Sequence, residues 1–161
     1  MTTSSKPLIT ICSSCNFYRQ ANDVKEQLEQ LGVDVIVPVL ATEMKKTGDY
    51  EVSHYKTWFA DAEDYSKKAE LMHGHFEEVK KADAILVLNY EKHGKQNYIG
   101  PNVLMEMALA FDAHKPIFII NEMPEDTPFE EELKGMMPII LHGAIKDLPS
   151  KYAEAAQTTA A

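Results

Sequence analysis

No apolar run in these 161 residues approaches the ~20 needed to span a bilayer, and Met1 to Lys6 holds no apolar segment of the signal-peptide type. The expected location is therefore cytoplasmic, with no membrane partner. Arginine is almost absent, Arg19 being the single example, and Asp plus Glu outnumber Lys plus Arg by 25 to 16, for a formal charge of −9. So acidic a chain is a poor partner for nucleic acid, whose affinity rests on Lys and Arg neutralising phosphates. A small anion stays within reach, because a few oriented N–H groups hold one phosphate against an unfavourable field. The sequence also lacks G-x-x-x-x-G-K-[ST] and G-x-G-x-x-G, so the common phosphate-cradling loops of nucleotide hydrolases and dehydrogenases are missing.

Cysteine is scarce too. Cys12 and Cys15 form a C-x-x-C at a strand-to-helix junction, where a thioredoxin-like pair would sit. Cys12 also completes the apolar run Leu8-Ile9-Thr10-Ile11, as a buried strand cysteine would. Two thiols fall short of the four ligands of a structural zinc site. His73 and His75 make an H-x-H, but residues two apart on a helix point in different directions and chelate together only if the helix breaks at Gly74. No cofactor and no metal are expected.

What the chain does have is 45% hydrophobic and 25% charged residues, enough for one domain with a proper core. The expectation is a single domain over 1–161, with 1–6 and 152–161 as flexible tails. Short apolar runs alternate with helical patterns, the signature of βαβ units. Leu8 to Cys12 reads as a first strand, and Phe17, Ala21, Val24, Leu28 and Leu31 mark one stripe of a helix ending at Gly32. Val33 to Val37 reads as a second strand stopped by Pro38, followed by a polar loop from Thr42 to His54. Tyr55 to Lys81 is helical in character, with a break near Gly74. Ala84 to Leu88 and Ile117 to Ile120 are continuous apolar runs suited to strands buried on both faces. Pro128 to Lys134 suits a short helix and Pro138 to Leu141 an edge strand. The fold class is α/β, a flavodoxin/Rossmann-like doubly wound sheet of five parallel strands in order 2-1-3-4-5.

Such a sheet binds ligands beyond the carboxyl ends of strands 1 and 3, where the strand order reverses. Two segments meet there: Ser13-Ser14-Cys15-Asn16, and the stretch from Asn89 through Gly100-Pro101-Asn102 to Glu106. Glu106 is the only charged residue of the apolar helix Val103 to Phe111. A carboxylate in that setting is costly unless something uses it, although a helix-end glutamate can also serve the macrodipole. Ser13, Ser14 and Asn16 suit either an anion site or ordinary helix capping, and Arg19 either an anion or a surface ion pair.

Three segments carry a family resemblance: Ile9 to Ser14; His75-Phe76-Glu77-Glu78-Val79-Lys80-Lys81-Ala82-Asp83 with the strand to Asn89; and Tyr98-Ile99-Gly100-Pro101-Asn102-Val103-Leu104-Met105-Glu106-Met107-Ala108, followed by Lys115-Pro116-Ile117. The sequence resembles the nucleoside 2-deoxyribosyltransferase family, including its branch of nucleoside-monophosphate N-glycosidases. The resemblance implies an enzyme that cleaves or transfers the N-glycosidic bond of a nucleoside or nucleoside 5′-monophosphate, with Glu106 as nucleophile. It also implies phosphate binding at Ser13, Ser14, Gly100 and Asn102, and a homo-oligomer. Three positions depart from the family: His75 replaces an aspartate, Gly100 replaces an aspartate of the transferase branch, and Thr10 replaces a first-strand aromatic. An imidazole at 75 suits a general acid for the leaving base. The changes equally suit a catalytically silent module that binds a nucleotide-like metabolite.

Overall fold

The computed structural model describes residues 6–159. Five strands, β1 (Leu8–Ser13), β2 (Asp34–Ile36), β3 (Ala84–Leu88), β4 (Ile117–Ile119) and β5 (Ile139–Ile140), form one sheet in the order β2-β1-β3-β4-β5. Every pairing is parallel, with Ser13 opposite Leu88 at the reversal between β1 and β3. Six helices connect and follow them: α1 (Tyr18–Gln30), α2 (Val39–Thr47), α3 (Tyr65–Lys81), α4 (Pro101–Asp112), α5 (Glu130–Gly135) and α6 (Leu148–Thr159). No helix among the described residues is long and apolar enough to cross a membrane.

Strand alternation builds two cores from one sheet. Ile9, Ile11, Leu86, Leu88 and Phe118 face α1, α2 and α6. Cys12, Ile85, Val87, Ile117 and Ile119 face α3, α4 and α5. Both faces of β3 are therefore covered, which is why that strand reads as an unbroken apolar run. Thr10 shares the pleat face of Cys12.

Four expectations need correction. The stretch after Pro38 begins as helix α2, not as loop: Pro38 occupies the position before the helix, Ala41 and Met44 are its buried residues, and Gly48 closes it at φ 72° with its N–H on the Met44 carbonyl at 2.9 Å. Helix α3 starts ten residues later than predicted, after a series of 3₁₀ turns, and runs unbroken through Gly74. The tail at 152–159 is ordered as α6, which is anchored by buried Leu148 and half-buried Tyr152. Leu31, assigned to the apolar stripe of α1, is 44% exposed past the helix end. Of the expected tails, residues 1–5 and 160–161 lie outside the described residues, and Lys6 is exposed with no regular structure.

Candidate functional site

A cavity of about 780 Å³ opens beyond the carboxyl ends of β1 and β3. Its floor is made by α4 and α3. On α4, Val103, Glu106, Met107 and Ala110 recur at helical spacing and form the buried stripe, so the only carboxylate of this helix face turns inward with its apolar neighbours. On α3 the buried residues are His75 and Val79, one turn apart. The two stripes meet, and His75 Nε2 comes to 3.6 Å from Glu106 Oε2. That separation is too long for a hydrogen bond, so the attraction is coulombic. Neither atom has a hydrogen-bond partner, although both are buried. His75 Nδ1 is occupied on its other side by Glu78 Oε2 at 2.7 Å, one turn along α3. Cys12, at the end of β1, brings its thiol into the same cluster, with one donor atom each of Cys12, His75 and Glu106 lying within 4.8 Å of one another.

Electrostatics sets the protonation of this cluster. Burial disfavours the imidazolium, but the surrounding Cys12, Glu106 and Glu78 outweigh it and raise the His75 pKa to about 12. Burial, reinforced by the Glu106 charge, pushes the Cys12 thiol up to about 12 as well.

Lys56, Lys68 and Lys92 line the cavity, as do the carboxylates of Glu43 and Glu70. Lys92 donates from Nζ to Ser14 Oγ at 3.0 Å and sits 4.7 Å from the centre of the Tyr98 ring. A tight hairpin delivers it, closed by paired backbone bonds between Lys92 and Lys95 around His93 and Gly94, both at positive φ. Burial, and then the nearby charge of Lys56, hold the Lys92 and Lys68 ammonium groups below the usual lysine range. Among the described residues Lys56, Lys68 and Lys92 form no ion pair. Gly100 makes this arrangement fit: a Cβ there would lie 3.0 Å from Tyr98 Oη and 3.2 Å from its ring. Gly100 is also the residue before α4, whose first-turn N–H groups lack intrahelical partners and face anions favourably.

Of the site residues expected from sequence, Ser13, Ser14, His75, Gly100, Asn102 and Glu106 all line this one cavity. Asn16 does not; it is exposed and accepts a bond from Ser14 Oγ at 3.3 Å. Arg19 is exposed as well and stacks on Tyr50 at 4.1 Å. The two cysteines are free and separate, Cys12 packing in one core and Cys15 against the other. His73 is exposed while His75 is buried, so the H-x-H does not converge. Sequence reasoning missed Glu78, for which the i,i+3 spacing from His75 was a usable signal. It also missed Cys12 as a site residue and the three lysines, which meet only through folding. Comparison with protein-family models and with curated proteins gave no match.

Proposed function

We propose that the protein cleaves the N-glycosidic bond of a nucleoside 5′-monophosphate, by hydrolysis or by transfer to another base, with Glu106 as nucleophile. The observation that carries this reading is the buried, unpartnered Glu106 Oε2 at the floor of a cavity whose mouth holds unpaired lysines. A carboxylate so placed meets the oxocarbenium character that develops at an anomeric carbon. In the first half-reaction a Glu106 oxygen bonds to C1′ as the C1′–N bond breaks, and the departing base takes the Nε2 proton of His75. In the second, water attacks C1′, gives a proton back to His75 and restores the carboxylate; in transfer, an acceptor base takes the place of water. Lys92, Lys56 and the first turn of α4 support a phosphate rather than an uncharged ribose end, which favours nucleotides over nucleosides.

The close His75–Glu106 pair also favours a second reading, a silent module in which the imidazolium occupies the nucleophile. Purified protein is tested on nucleosides and their monophosphates, with and without acceptor bases, beside thermal shift with the same compounds. Base release that Glu106→Gln abolishes supports the enzyme. Ligand stabilisation that survives Glu106→Gln, with no release from wild type, supports the binding module.

A further inference from the structure

We propose that Cys12, His75 and Glu106 bind a thiophilic divalent cation of the zinc type at the floor of the cavity. The proposal goes beyond the glycosidase reading and does not depend on it, since the donor atoms are available whether or not a bond is turned over.

Five observations support it. The three residues supply a sulfur, an imidazole nitrogen and a carboxylate oxygen, the donor types zinc takes in three-ligand sites with an open fourth position. Zinc at roughly 2.0–2.3 Å from each ligand requires the donors to stand about 3.3–3.7 Å apart. His75 Nε2 and Glu106 Oε2 are already 3.6 Å apart, and all three donor atoms lie within 4.8 Å of one another. His75 and Glu106, only 9% and 7% exposed, point those two atoms into the cluster with no hydrogen-bond partner. Glu78 accepts from His75 Nδ1 at 2.7 Å, the carboxylate support that metal-bound histidines commonly have, which leaves Nε2 as the ligating nitrogen. His75 and Glu106 also line the cavity, so a fourth ligand, water or substrate, enters from there.

The charges balance without redox chemistry. Bonds form from the cation to sulfur, nitrogen and oxygen; the thiol proton and the Nε2 proton go to solvent. Two protons leave as one dication enters, so the buried cluster gains no formal charge and meets no new desolvation penalty of the kind that isolated buried ions incur.

The test uses the full chain, stripped with a chelator and titrated with cobalt(II) chloride, then with zinc chloride. The expected result is one equivalent of cobalt with thiolate-to-cobalt charge-transfer absorption, displaced by zinc. In Cys12→Ser the charge-transfer band is lost and zinc affinity falls at least tenfold; Glu106→Gln, checked for folding by circular dichroism, weakens zinc comparably. Absence of the band in wild type, or cobalt binding unchanged by Cys12→Ser, as at surface pairs such as His54–Asp49, overturns the proposal. Base release without a cobalt band defeats this inference alone, and a Cys12-dependent band without base release defeats the glycosidase reading alone.

Discussion

Glu78, His75 and Glu106 alternate in charge along one line, and each neighbour sets what the next can do. Replacing Glu106 by Gln keeps the volume and removes the proposed nucleophile, so on the glycosidase reading base release is expected to fall to background in a steady-state assay, while the thermal midpoint falls because the buried imidazolium of His75 loses one of its two carboxylates. His75→Gln removes the proposed proton donor, and on the glycosidase reading turnover is expected to drop about 10²–10⁴-fold, the usual range for a lost general acid. The same histidine leaves a mark on stability. Its folded pKa, about 12, lies above the ordinary histidine value. The imidazolium therefore stabilises the fold fully below about pH 6.5, and this contribution declines as pH rises toward the folded value. Relative to His75→Gln, wild-type unfolding free energy should fall by up to about 1.4 kcal/mol per pH unit between pH 7 and 9, read from urea titrations at each pH. A difference that does not change with pH would show that the carboxylates do not hold this proton.

Elements were legible in the sequence where burial was two-sided or one charge interrupted a uniform stripe. Strands β1, β3 and β4 announce themselves as apolar runs because helices cover both faces, and Glu106 stands out because Val103, Met107 and Ala110 surround it. Helices α2 and α6 were not legible. Pro38 reads equally as the end of a strand and as the residue before a helix, and α6 is composed mainly of small residues whose helicity depends on docking through Leu148. Leu148→Ala is accordingly expected to destabilise the protein by about 2–5 kcal/mol in chemical unfolding, whereas no effect would show that α6 does not dock through this side chain. Gly74 makes the opposite case. It lies in the middle of an unbroken α3 with nothing within 4 Å of an added Cβ, so Gly74→Ala should stabilise by roughly 0.5–1 kcal/mol. The lysine mouth was hidden for a different reason: Lys56, Lys68 and Lys92 come from a turn, a helix and a hairpin, and no local pattern links them.

At the scale of the whole molecule, two fields oppose each other. The formal charge of −9 would repel the proposed nucleotide at long range, while Lys56, Lys68 and Lys92 would attract its phosphate at the cavity. Salt screens both, and the sign of the salt effect reports which dominates. With a nucleoside monophosphate the expected result is a KM that rises with ionic strength, and a weaker rise in Lys92→Gln. A KM that falls with salt would place the substrate phosphate elsewhere.

The buried side-chain atoms left without a hydrogen-bond partner among the described residues include Thr10 Oγ1, His75 Nε2 and Glu106 Oε2. Replacing a buried ion pair such as His75–Glu106 as a whole by well-packed apolar residues is often neutral or stabilising by about 1–4 kcal/mol, whereas removing one partner costs about 3–5 kcal/mol. A directed-evolution campaign that scored only resistance to heat would therefore gain nothing from position 75 or position 106 alone; its durable winners would replace both together, and with them the groups proposed to react.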